Sequence, residues 1–152
     1  MHNNFYASGF LFHLRTQQIL LHQPNIDKNS SSAWNMLGGE GKGEDVCKAF
    51  QEIILKLLDV KLPTKNIFPV YDYFYNKVNK NHHIFYAEVK KLHSFPESRK
   101  GAFSWFTFKQ ATKLSFDSQT KQDIMVAERV IKAQARDKEA LNAPLVAEAV
   151  SL

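Results

Sequence analysis

The chain has 152 residues, 44% of them hydrophobic and 12% aromatic. That is enough to bury a sizeable core and excludes a disordered or low-complexity protein. A formal charge of +5 at pH 7 favours anionic partners, although lysines spread along the chain equally fit ordinary solubilising charge. The lone cysteine, Cys47, excludes an internal disulfide, and no apolar run is long enough to span a bilayer, so the expectation is a soluble cytoplasmic protein with no membrane partner.

Phe5 to Leu14 reads as a strand rich in aromatic and aliphatic residues, with Gly9 inside it. Arg15-Thr16-Gln17 is a turn and Gln18 to Gln23 the returning strand of a hairpin. His13 and His22 fall on opposite arms; half-buried sheet histidines are the favoured reading, because two ligands alone do not fix a metal. Pro24 to Ser32 is a polar loop, and Ala33 to Leu37 a short strand in which Trp34 is expected to pack as core.

Four of the six glycines, Gly38, Gly39, Gly41 and Gly43, then fall within six residues and read as a flexible loop. A helix follows over Asp45 to Asp59, its apolar stripe formed by Val46, Ala49, Phe50, Ile53, Ile54, Leu57 and Leu58. The opposite face carries Asp45, Lys48, Glu52, Lys56 and Asp59. A glycine loop feeding a helix N-terminus can hold a phosphate, with Lys42 supplying a point charge. Cys47, early in the helix, reads as a plain helix residue.

Leu62-Pro63 ends the helical region. Ile67 to Val78 and His83 to Val89 form a long hairpin around Asn79-Lys80-Asn81. Tyr71, Tyr73 and Tyr75 share one face of it, either covering the sheet or offering a platform for bases, and the absence of any RNA-binding signature favours the first. Phe103 to Phe106 reads as a strand and Thr107 to Leu114 as a short helix. Asp117-Ser118 caps a last helix that docks through Ile124, Val126, Ala127, Val130 and Ile131. Residues 1–136 form one domain, and 137–152 a helical or flexible tail.

Gly38-Gly39, Gly43-Glu44, Ala49 and the amphipathic helix together resemble the box of the Nudix hydrolases. That pattern is Gly, five residues, Glu, seven residues, Arg-Glu, an aliphatic residue, any residue, Glu-Glu, any residue, Gly. The spacing from Gly38 to Glu44 matches. Further along, the arginine position holds Glu52, the next Glu position holds Ile53, the Glu-Glu pair becomes Lys56-Leu57, and the final Gly is Asp59.

The resemblance implies a Nudix-like α/β/α sandwich with a mixed, largely antiparallel sheet. It implies a nucleotide or other phosphorylated ligand on Gly38, Gly39, Lys42 and Gly43. It also implies Mg²⁺ or Mn²⁺ on the acids, for which Glu44, Glu52 and Glu97 are the candidates, with Glu88 as a further acid beyond the box. Hard cations need carboxylate oxygen, and a lysine beside a divalent ion roughly 4 Å away repels it by about 1 to 4 kcal/mol per unit of charge.

The expectation is therefore a ligand-recognising Nudix-like protein lacking conventional metal-dependent hydrolysis. The alternatives are a hydrolase using Glu44 and Glu52 on a rearranged metal site, and a structural or protein-interaction domain. Nucleic acid is a less favoured partner, and a homodimer is compatible with the sequence.

Overall fold

In the computed structural model, residues 4–24, 33–98 and 100–151 are described, the side chains as far as Leu141. The elements are β1 (Asn4–His13), β2 (Gln18–Gln23), β3 (Leu37–Lys42), α1 (Val46–Leu58), a 3-10 turn (Thr64–Asn66), β4 (Ile67–Tyr75), β5 (Lys80–Val89), β6 (Ala102–Thr107), α2 (Phe108–Ala111) and α3 (Ser118–Ser151). The six strands make one mixed sheet in the order β4-β5-β1-β2-β6, with β3 also paired to β1.

β1 is the strand from which the sheet is built. On one edge it runs parallel to β5 from Phe5 opposite Asn81 to His13 opposite Val89. On the other edge it is shared: Asn4 to Gly9 pair antiparallel with β3, and Phe12 and His13 pair with the start of β2. Such a strand is buried on both faces, which explains the near-continuous apolar run. Side chains alternate across it. Phe5, Ala7 and Leu11 join a core beneath α1, while Phe10 and Phe12 join a second core beneath α3.

Gly9 sits where the shared edge divides, facing Leu37 on one side and Phe85 on the other. A Cβ there would lie 1.9 Å from the Phe85 carbonyl oxygen and 3.2 Å from Cζ of Phe50. Only glycine lets β1 and β5 approach so closely while the α1 aromatic seats on them. Phe50 stacks on Phe85 with centroids 5.2 Å apart, and Phe50, Ile54 and Leu58 form the buried line of α1. Asp45 caps the helix by accepting from the Lys48 N–H, and Asp59 closes it in the left-handed region at φ 58°.

The glycine run differs from expectation. Leu37 to Lys42 is a strand, not a loop, and of its glycines and Gly43 only Gly43 takes a positive φ, at 102°. The expected strand at Ala33 to Leu37 is reduced to a bridge between Asn35 and His22. The physical reason lies in β1: a Cβ on Gly38 would meet Ser8 at 2.7 Å, and one on Gly41 would meet the Phe5 ring at 2.4 Å. These glycines make room for the side chains of β1.

The expected short helix is trimmed to Phe108–Ala111, started by a reciprocal capping box between Thr107 and Gln110. On the last helix Ile124, Ala127 and Ile131 are buried as its stripe predicts. The expected polar loop lies, beyond Pro24, outside the described residues. Trp34 packs edge-on to Phe106 at 5.0 Å. His13 is bonded to Thr16 and the Lys90 carbonyl, while His22 stacks on Phe103 and is bonded to the Lys100 carbonyl, so neither histidine faces the other as a metal pair. No helix among the described residues is long and apolar enough to cross a membrane.

Two glycine substitutions separate close approach from backbone freedom. Gly9→Ala is expected to cost about 3 kcal/mol or more through overpacking against Phe85. Gly43→Ala, with open space at its Cβ, is expected to cost only about 1 to 2 kcal/mol for its left-handed backbone. Urea denaturation of the two variants checks the order.

Candidate functional site

The glycine strand and the length of α1 leave a cavity of about 980 Å³ between them. β3 supplies Gly38, Gly39, Glu40, Gly41 and Lys42; α1 and its cap supply Asp45, Lys48, Ala49, Glu52, Ile53, Lys56 and Leu57. Lys80 and Lys100 reach it from the β4–β5 hairpin and from the segment before β6. Gly39 keeps the floor low: a Cβ there would already be in contact with Ile53 at 3.5 Å.

Five lysines and four acids line this cavity. Two of those acids already have partners. Glu40 receives a 2.6 Å hydrogen bond from Lys80, and that bond and charge hold its carboxyl below the usual range. Asp45 is engaged in capping α1. Lys100 Nζ donates to the Lys56 carbonyl at 2.5 Å, tying the last turn of α1 to the segment before β6. The five lysines exceed the four acids by a single charge, and the N-terminal end of α1 already carries the Asp45 carboxylate as its cap.

Of the sequence-predicted residues, Gly38, Gly39, Lys42, Glu44 and Glu52 all line this cavity, whereas Gly43 and Glu97 do not. Glu44, Glu52 and Glu97 are solvent-exposed. Among the described residues no group of three or more His, Cys, Asp or Glu side chains is placed to hold a metal ion. The donor set does not fit a conventional Mg²⁺ or Mn²⁺ centre, because Ile53, Lys56 and Leu57 stand on the cavity side of α1. Cys47 is half-buried, and burial together with Asp45 pushes its thiol up, as befits an unreactive helix residue.

A second cavity of about 390 Å³ opens on the other face of the sheet, under the start of α3. Gly38 borders both. Here lies a polar cluster that sequence reasoning missed. Asp123 is only 1% exposed, yet it sits among the apolar residues of α3. Its Oδ1 accepts from the Tyr71 hydroxyl at 2.6 Å and from Gln119 at 3.0 Å, and its Oδ2 accepts from the Tyr73 hydroxyl at 2.7 Å. Tyr73 also contacts His82 Nδ1 at 2.9 Å, and His82 Nε2 lies 2.7 Å from Ser8 Oγ.

Burial, followed by Asp123, raises both tyrosine hydroxyls well above their ordinary range, and burial lowers His82. The tyrosine face is thus covered by α3, with the hydroxyls of Tyr71 and Tyr73 bonded inward. The available signal was an acid one position before Ile124 in the docking stripe, matched by two tyrosines at alternate strand positions.

The sequence matches no family model and no curated protein. Solved structures do match. The Nudix domain of Shewanella oneidensis NrtR, determined with ADP-ribose, is 13% identical, with 84% of this chain and 87% of that one covered at a TM-score of 0.66. A Nudix hydrolase from Nitrosomonas europaea is 16% identical over 83% and 88%, at 0.57. The C-terminal domain of mouse MUTYH, solved with human PCNA, is 12% identical over 85% and 90%, at 0.59. At such identities the likeness concerns the fold. The six-stranded mixed sheet between α1 and α3 is a Nudix-like fold.

Proposed function

We propose that this protein recognises a nucleoside-diphosphate-linked or other phosphorylated ligand in the cavity between β3 and α1, without conventional metal-dependent hydrolysis. The observation that carries this reading is the set of lysines around a floor of glycine backbone: Lys42, Lys48, Lys56 and Lys100, with Lys80 held by Glu40. Phosphate oxygens are neutralised there by ammonium groups in place of a bridging cation. Gly38, Gly39 and Lys42 line the phosphate site, with Gly43 setting the turn that leads into α1. Nudix hydrolases generally use Mg²⁺ or Mn²⁺, and the neighbour from S. oneidensis was solved with ADP-ribose, which makes that compound the first ligand to try.

A second reading keeps hydrolysis. Glu44 and Glu52 do share the cavity, and with a divalent ion and Glu97 they would be the acids of a rearranged centre. The two readings part on turnover. With Mg²⁺ or Mn²⁺ present, the first expects no release of phosphate or nucleoside monophosphate from ADP-ribose, nucleoside triphosphates, dinucleotides or nucleotide sugars. It expects at least one of them, at roughly ten times Kd, to raise Tm by about 4 °C. Release that disappears in Glu44→Gln or Glu52→Gln would establish the hydrolase.

Lys56 offers the sharper substitution, because it occupies the first position of the Glu-Glu pair in the resemblance. Lys56→Glu reverses one charge in the cavity and is expected to weaken metal-free binding at least about tenfold, the equivalent of 1.4 kcal/mol. Added Mg²⁺ is expected to restore part of the loss in that variant and to change little in the parent, as equilibrium titration will show.

A further inference from the structure

The cluster beneath α3 has a definite direction of hydrogen bonding. Tyr73 has one hydroxyl proton, and it is donated to Asp123 Oδ2, 2.7 Å away. Its 2.9 Å contact with His82 must then be a bond donated by Nδ1–H of the imidazole. A neutral imidazole protonated on Nδ1 carries its lone pair on Nε2, and that lone pair faces Ser8 Oγ at 2.7 Å. Ser8 is therefore the donor to a histidine whose tautomer is fixed from behind by a tyrosine and a buried carboxylate.

The ring is also held mechanically. Tyr6 meets it edge-on at 5.0 Å and Tyr75 lies nearly parallel at 6.1 Å. Burial disfavours the imidazolium, leaving His82 neutral and able to accept a proton, while Asp123 favours the charged form once it arises. Ser8 and His82 both border the 390 Å³ cavity, whose walls include Tyr6, Met36, Tyr75 and Val78, together with the amide-bearing Asn35. A nucleophile bonded to a base, and that base oriented by a third group, is the arrangement that activates a hydroxyl.

We propose that Ser8 is a nucleophile, with His82 as its general base, for a small carboxylic ester bound in this second cavity. Ser8 Oγ adds to the ester carbonyl carbon as its proton passes to His82 Nε2. The carbon–oxygen bond to the alcohol breaks, and the alcohol leaves with that proton. Water, giving a proton to His82 Nε2, then adds to the acyl carbon; the bond to Ser8 Oγ breaks, the carboxylic acid leaves, and His82 returns the proton to Ser8 Oγ. Tyr73 and Asp123 are positioning residues that hold the tautomer and stabilise the transient imidazolium. The proposal stands apart from the phosphate reading of the first cavity, and either can fail without the other.

The test treats the full chain with a small alkyl fluorophosphonate and maps the adduct by mass spectrometry, and in parallel follows p-nitrophenol release from p-nitrophenyl acetate. In the labelling reaction Ser8 Oγ bonds to phosphorus, fluoride leaves and His82 takes the proton. The expected result is one adduct on Ser8 and an initial burst of about one equivalent of p-nitrophenol, both lost in Ser8→Ala. His82→Gln is expected to slow labelling roughly 100-fold or more. Tyr73→Phe, which keeps the ring and removes only the hydroxyl, is expected to slow it without altering the far-ultraviolet circular dichroism. It decides the matter should His82→Gln fail to fold. A folded parent protein with no Ser8 adduct, or labelling as fast in folded Tyr73→Phe as in the parent, would overturn the proposal.

Discussion

The structure depends on β1 being bonded on both edges while one of those edges is divided between two strands. β5 occupies one side from Phe5 to His13. β3 takes the other side as far as Gly9, and β2 begins only at Phe12. A strand so enclosed cannot carry a side chain at the point of closest approach, and Gly9 satisfies that condition with its carbonyl-crowded position opposite Phe85. The division has a consequence for chemistry, because β3 diverges from β2 and its edge is left to face α1. Gly38, just beyond the fork, borders a cavity on each face of the sheet.

The two cavities differ in electrostatic character. The one between β3 and α1 is open, rimmed by lysines, and its acids are exposed or already paired. Such charges act on a ligand through partly screened Coulomb forces, so binding there should fall as salt rises. The one beneath α3 is smaller and contains a buried carboxylate bonded by three donors. A buried charge is tolerated only when its oxygens are satisfied, and the donors come from β4 and from α3 itself. Asp123 therefore cross-links the last helix to the sheet while it sets the hydrogen-bond direction at His82.

Much of the fold was legible because it rests on local patterns. The apolar run of β1, the stripe of α1 and the existence of the β4–β5 hairpin each follow from patterns that a single sequence displays. The finer bounds do not: the hairpin turn lies at 76–79 and Lys80 already belongs to β5, while Asp45 and Asp59, expected within the helix, cap its two ends. The resemblance in the glycine run led to the right fold, and of the residues it named, Gly38, Gly39, Lys42, Glu44 and Glu52 border one cavity while Gly43 and Glu97 do not. Its conformation was misread, because glycine in a strand and glycine in a loop look alike until the opposing side chains of Phe5 and Ser8 are known. That Lys80, read from the sequence as a cation at the hairpin tip, and Lys100 belong to this cavity was not legible for a related reason: they reach it from distant segments. The bonds among Ser8, Tyr73, His82 and Asp123 join positions 9 to 74 residues apart, and no periodicity encodes them.

The central claim is that ammonium groups and glycine backbone have taken over, in the cavity of β3 and α1, the neutralising part that a divalent cation plays where the box carboxylates are present. Calorimetric titration of ADP-ribose into the protein, once in EDTA and once in Mg²⁺, each at low and high salt, addresses it directly. The account predicts the same Kd with and without the metal, and weakening as salt screens the lysines. Binding that appears only when Mg²⁺ is present would contradict it.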